Sequence, residues 1–172
     1  VLLSGRIGDH GMAIMAQREA LAFDAEIVSD SAPLNGLVEA LYAAVPATAI
    51  RVLRDPTRGG LATTLNEIAT QSDVGMTLEE AAIPVAPQVH AACELLGLDP
   101  LYVANEGRFI AIIPEDAVDA ALQVLGEHEV SRDRVRIGRV TESPAGLVTL
   151  RSRIGATRIV DRLSGEQLPR IC

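Results

Sequence analysis

Aromatic residues are almost absent: the 172-residue chain has two tyrosines, two phenylalanines and no tryptophan. There is no run of basic side chains either, and 23 acidic against 15 basic residues give a formal charge of -8. The chain therefore lacks both the cationic groove and the stacking platforms that nucleic acid requires, which excludes that class of partner. Cysteine is equally scarce. Cys93 and Cys172 alone, the second on the chain end, make no disulfide framework, and a reducing cytoplasmic compartment is the natural expectation. Cys93 lies on an apolar helical stretch and reads as core. No segment approaches the roughly 18 to 20 consecutive apolar residues of a membrane span, and no basic lead-in precedes an apolar run, so no membrane partner is expected. Internal repeats and low-complexity linkers are missing. What is present in quantity is hydrophobic side chain, 48% of the residues, enough to build one domain around its own core.

The apolar residues are arranged with two periods. Helical spacing runs through 11–20, 35–45, 60–71, 87–96 and 115–126, and short β-prone runs fall at 1–4, 50–54, 74–78, 108–113, 134–140, 146–151 and 156–160. Helices alternate with strands early, and strands dominate late. Gly146, Gly155 and Gly165 punctuate the late strands and predict hairpins there. The expected class is α+β: a mixed β-sheet with helices mainly on one face, rather than a doubly wound parallel fold. The chain opens directly on Val1-Leu2-Leu3 without a polar lead-in, as expected of a piece whose N-terminal portion is missing. The ordered domain is expected to span 1–162, with 163–172 a mobile tail, because Gly165, Pro169 and the polar Glu166-Gln167 pair leave little apolar surface to pin it.

Several polar clusters interrupt these elements. The chain ends Pro169-Arg170-Ile171-Cys172, which puts a thiol on the most movable stretch of backbone. An unperturbed thiol of pKa about 8.5 supplies a small but strongly nucleophilic thiolate fraction at neutral pH. A substrate carrier and an incidental free cysteine both fit this position. Arg54-Asp55-Pro56-Thr57-Arg58-Gly59-Gly60-Leu61 follows a strand run and opens a helix: Pro56 bars helix at Asp55, Thr57 is a candidate cap, and the glycines admit close approach of a ligand to the backbone. A phosphate-binding turn and a plain strand-to-helix turn both fit, and neither the dinucleotide nor the P-loop pattern is met. Gly8-Asp9-His10-Gly11 and Ser29-Asp30-Ser31-Ala32-Pro33-Leu34-Asn35 each precede a helical run and read as caps; a lone histidine beside one carboxylate lacks the repeated spacing of a metal site. His90 and His128 are isolated. Glu79 and Glu80 are adjacent, so on a strand they diverge and make no acid/base dyad. Asn105-Glu106-Gly107 sits at the mouth of the apolar strand Phe109-Ile110-Ala111-Ile112-Ile113. Glu106 held there is a candidate general base, and a polar turn is the alternative.

Taken in order, Ser4-Gly5-Arg6-Ile7-Gly8-Asp9-His10-Gly11, Ser29 through Asn35, Asp55-Pro56-Thr57-Arg58-Gly59-Gly60-Leu61, Ala104-Asn105-Glu106-Gly107 and Pro169-Arg170-Ile171-Cys172 resemble the C-terminal half of the HypE family, the carbamoyl dehydratases of hydrogenase maturation, within the aminoimidazole ribonucleotide synthetase superfamily. The resemblance covers essentially the whole chain. It implies that Cys172 accepts a carbamoyl group from the carbamoyltransferase HypF, that ATP then activates the carboxamide oxygen, and that dehydration leaves a thiocyanate. The cyano group passes to iron on a HypC-HypD scaffold, as a ligand of the nickel-iron hydrogenase centre. Glu106 would serve the dehydration, and Asp55, Thr57, Arg58, Gly59 and Gly60 would contribute to the nucleotide cleft. ATP and magnesium would be held mostly by the missing N-terminal half, which also carries the family's dimer-forming sheet. This chain alone is therefore expected to hold no cofactor, no resident metal and no catalytic competence, and to be monomeric. A non-catalytic docking module, or part of another ATP-using member of the superfamily, is the competing expectation.

Overall fold

The computed structural model describes residues 1–18 and 26–162. The expected tail, 163–172, with its acceptor thiol Cys172 and the turn at Gly165, lies outside the described residues, as does the end of the first helical run. In chain order the elements are β1 (Leu2–Leu3), α1 (Asp9–Arg18), α2 (Asn35–Ala44), β2 (Val52–Arg54), α3 (Gly60–Gln71), β3 (Gly75–Glu79) and α4 (Pro87–Leu96). These are followed by β4 (Ile110–Ile112), α5 (Val118–Leu125), β5 (Val135–Arg136), β6 (Gly138–Thr141), β7 (Val148–Arg151) and β8 (Thr157–Ile159).

The α+β class holds, with the strands divided between two four-stranded sheets. The first, ordered β2-β4-β1-β5, is antiparallel throughout, whereas the second, β6-β3-β7-β8, is mixed because β3 and β7 run parallel. Successive side chains of a strand point to opposite faces, and the first sheet buries both of them. Leu3, Ile110 and Ile112 face a core shared with Leu61, Leu65 and Ile68 of α3 and with Met76, Leu78, Val148 and Leu150 of the second sheet. Leu2, Phe109, Ala111 and Ile113 face the opposite way, onto Leu37 and Leu41 of α2 and Ala121 and Leu125 of α5. This two-sided burial explains why Phe109 through Ile113 is apolar without alternation. The second sheet has one wet face: Thr77, Glu79, Thr149 and Arg151 alternate with its buried residues, and the Thr77 and Thr149 hydroxyls lie 3.2 Å apart across the parallel pair.

The hairpin expected at Gly155 is present, joining β7 to β8. The one expected at Gly146 is not: β6 and β7 are separated by β3, which pairs antiparallel with β6 and parallel with β7. A local turn signal is overridden here by pairing with a strand some seventy residues earlier.

A smaller cluster joins α1 and α4 through Met12, Val89, Ala92, Cys93 and Val103. Cys93 is buried, as read from its helix, and burial pushes its thiol up to about 11. At neutral pH it stays protonated and inert.

Candidate active site

Four of the polar segments that the sequence spreads over a hundred residues meet at one place, and Asn105 is the knot. It is fully buried. Its Oδ1 accepts from the Gly8 amide at 2.8 Å, and its Nδ2 donates to the carbonyls of Pro56 at 2.9 Å and Val103 at 3.0 Å. Its own amide donates to the Pro56 carbonyl as well, at 3.2 Å. The 8–11 turn is further stitched on by a Gly11 to Ala104 amide-carbonyl bond of 3.0 Å. Replacing Asn105 with alanine leaves the buried Gly8 amide and Val103 carbonyl without these partners, and each such loss costs about 1–3 kcal/mol. Urea unfolding of Asn105→Ala is expected to show a loss of about 3 kcal/mol, near the upper end of ordinary point mutations.

The Asp55 to Gly60 turn reaches this knot through Pro56 and through α3. The helix starts on two glycines in the left-handed region, Gly59 at φ 73 and Gly60 at φ 62. A Cβ on Gly60 would lie 2.5 Å from the Leu101 carbonyl oxygen and 2.7 Å from that of Val103, both rigid backbone, so α3 is seated directly on the 101–103 segment. Thr57 is not the cap. Gly59 occupies that position without a side-chain bond, and the Thr57 carbonyl accepts the Gly60 amide instead at 3.0 Å. Asp55 and Arg58 are exposed, while Gly59 and Gly60 are buried. Arg54 is taken up by Glu67 of α3, at 2.9 Å.

Glu106 is half-buried and follows the knot directly. Its amide donates to Asp30 Oδ1 at 3.2 Å. The next residue, Gly107, runs against the Asp30 main chain so closely that a Cβ would fall 1.7 Å from the Asp30 carbonyl oxygen. Only glycine fits. Arg108 then turns inward: Nε donates to the Arg6 carbonyl at 3.0 Å and Nη1 to those of Gly107 at 2.8 Å and Val130 at 2.9 Å, with Asp30 Oδ2 3.6 Å from Nε. The Ser29 to Asn35 cluster makes no side-chain cap on α2, whose N-cap is Leu34, and of the Gly8 to Gly11 cluster Asp9 is itself the first residue of α1. Ser29 hydrogen-bonds His10 Nδ1 at 2.9 Å and accepts the Ser31 amide at 3.1 Å, so the 29–31 loop is folded toward α1 rather than toward the helix it precedes.

Asp9 opens α1, where a carboxylate complements the helix dipole, yet it is buried and its Oδ2 has no hydrogen-bond partner, with Arg6 Nε 3.4 Å away. Burial raises its pKa above the ordinary 3.8, the nearby Asp30 charge adds to this, and Arg6 and Arg108 oppose it. A carboxyl that holds its proton more tightly when folded contributes a stability that is complete below the unfolded-state pKa. That contribution is lost as the pH climbs through the ordinary carboxylate range to the raised folded value. Asp9→Asn removes this pH dependence. Its melting temperature relative to the parent is expected to be higher at pH 7 than at pH 3.5, by scanning calorimetry at both.

Among the described residues no group of three or more His, Cys, Asp or Glu side chains is placed to hold a metal ion, and no helix is long and apolar enough to cross a membrane. All fifteen basic residues are arginines. Among the described residues the titratable bases gathered at the knot are carboxylates and His10, and Glu106 is the carboxylate with both a rigid backbone and partial exposure. A groove of about 450 Å³ lined by Val52, Ile68, Ile112, Val118, Arg136 and Arg139 touches none of these loops. Sequence reading missed Asp30 and Arg108. An arginine leading an otherwise apolar strand was the available signal for Arg108; Asp30 carried none beyond its place in a Ser-Asp-Ser turn.

The two sheets share a core with α3, and the loops at Gly8, Pro56 and Val103 to Gly107 are drawn together by one buried asparagine. The chain belongs to the AIR synthase related protein family, C-terminal domain, whose family model matches residues 1–151. It is 60% identical over all 172 residues to the carbamoyl dehydratase HypE of Cupriavidus necator, covering 100% of this chain and 48% of that protein. A crystal structure of the hydrogenase maturation protein HypE in complex with ATP superposes with a TM-score of 0.90 at 48% identity, over 99% of this chain and 52% of that one. A HypE-HypF complex does so with a TM-score of 0.89 at 48% identity, over 94% and 52%. The chain thus spans about half the length of the curated relatives it matches.

Proposed function

We propose that this chain is the C-terminal half of an ATP-dependent carbamoyl dehydratase of nickel-iron hydrogenase maturation. The observation that carries the reading is the identity of 60% to such an enzyme along the entire chain, a span that includes Glu106 and the Cys172 end.

The chemistry follows from the groups involved. The Cys172 thiolate takes up a carbamoyl group, giving an S-carbamoyl ester whose carboxamide oxygen is a poor leaving group. That oxygen attacks the γ-phosphorus of ATP, ADP departs, and one nitrogen proton is released. Glu106 then accepts the second nitrogen proton as the C–O bond breaks, so that inorganic phosphate leaves and the carbon-nitrogen triple bond forms. A half-buried carboxylate on a backbone pinned from three directions suits this role, since proton transfer demands geometry first. Asp55, Thr57, Arg58, Gly59 and Gly60 lie on the loop that the same knot fixes, and their place is at the edge of the nucleotide cleft. ATP and magnesium are held mostly by the half of the protein that this chain does not contain, so the chain by itself has no turnover.

HypF supplies the carbamoyl group, and a HypC-HypD complex receives the cyano group, in the cytoplasm. The full-length protein is a homodimer through its other half, and residues 163–172 carry the acceptor thiol. The test is stoichiometry: full-length protein carrying the carbamoyl group should release one phosphate from ATP per group carried, and none when unloaded. Equal phosphate release from loaded and unloaded protein contradicts the reading.

A further inference from the structure

The three peptide units around Glu106 are each held by a different partner: the Asn105 amide by Pro56, the Gly107 carbonyl by Arg108, and the Glu106 amide itself by Asp30. The last of these differs in kind. Its acceptor is a carboxylate whose side chain is 0% exposed, and any neutral oxygen would satisfy a backbone amide. Burying an anion is costly unless it is paired, and the pairing is incomplete: Asp30 Oδ2 has no hydrogen-bond partner and only the Arg108 guanidinium at 3.6 Å. That guanidinium is already committed to three carbonyls, so it is a fixed charge rather than a mobile one. Gly107 completes the arrangement by letting the two main chains touch.

We infer that Asp30 is a positioning residue for the dehydration step: braced by Arg108, it fixes the main chain of Glu106 so that the carboxylate stays in line with the proton it removes. The inference rests on the reading of Glu106 as the base. Asp30 touches neither substrate nor nucleotide in this account and acts through Glu106 alone.

A double-mutant cycle in the full-length protein, loaded by its carbamoyl donor and followed by mass spectrometry, separates this role from a structural one. Asp30→Ala is expected to slow dehydration by roughly 10- to 100-fold, as loss of alignment does, with carbamoyl loading and the KM for ATP unchanged. In a Glu106→Gln background the same change should cost nothing further, because there is no longer a base to align. Asp30→Asn, which keeps an oxygen on the Glu106 amide but loses the charge that Arg108 braces, should recover part of the rate and not all of it. If Asp30→Ala does not fold, Asp30→Ser, too short to reach that amide, replaces it in the cycle.

A wild-type rate for Asp30→Ala overturns the inference. So does an equal loss in both backgrounds, and so does an Asp30→Asn variant as slow as the alanine. If Glu106→Gln alone dehydrates at the wild-type rate, the base assignment has failed, and the inference falls with it for that separate reason.

Discussion

Full-length protein carrying Cys172→Ala is expected to accept no carbamoyl group, and ATP is expected to produce no modified species. The thiol sulfur is the atom to which the group is bonded in the proposed reaction, so its removal leaves nothing to carry the intermediate. Serine is no substitute. A thiol of pKa about 8.5 is a few per cent ionised at neutral pH and strongly nucleophilic in that form, whereas a hydroxyl without an adjacent base has no comparable reactive fraction. The other cysteine cannot take over. Cys93 is buried between α1 and α4 with its thiol pushed up to about 11, out of reach of a donor and protonated. Intact mass after incubation with the carbamoyl donor checks this: any carbamoylation of the Cys172→Ala variant places the acceptor elsewhere.

Glu106→Gln is expected to load normally and to dehydrate roughly 10²- to 10⁴-fold more slowly, the usual contribution of a positioned general base. Glutamine keeps the side-chain length and can hold the same contacts, and the main-chain bonds of residues 105 to 107 do not depend on it. The substitution removes only the oxygen basicity. The two variants therefore part at different steps, one blocked before loading and one after, and single-turnover mass spectrometry with ATP added to preloaded protein distinguishes them. Dehydration at the wild-type rate in Glu106→Gln would move the base to the other half of the protein.

Most of the elements were legible in the sequence because their signals are local; the run at 134–140 is an exception, divided into β5 and β6 of different sheets. The Gly59-Gly60 break places the start of α3, and the apolar run from Phe109 to Ile113 identifies the strand that becomes β4. What was not legible depended on pairing across long separations. The run from Phe109 to Ile113 does not announce that its two faces meet different cores, and Gly146 looks like any hairpin glycine until β3 enters between β6 and β7.

The candidate site divides in the same way. Asn105-Glu106-Gly107 was recognisable as a polar interruption beside an apolar strand, and its partner loops were recognisable as turns. That Asn105 binds Gly8, Pro56 and Val103 together, and that Asp30 turns away from the helix it precedes to hold Glu106, follows from tertiary contacts that no local pattern encodes. The capping role expected of Thr57 failed for a related reason: a Cβ at position 60 would strike the 101–103 backbone, so the helix start is set by close packing and not by a side-chain cap.

The proposed reaction requires that Cys172 carry the group that is dehydrated. Intact and peptide mass spectrometry of the full-length wild-type protein, first loaded with carbamoyl and then given magnesium and ATP, measures it directly. The C-terminal peptide is expected first to gain a carbamoyl group on Cys172 and then to become lighter by one water, only when ATP is present. A C-terminal peptide that stays unmodified while ATP is consumed, or that keeps its carbamoyl group unchanged, would contradict it.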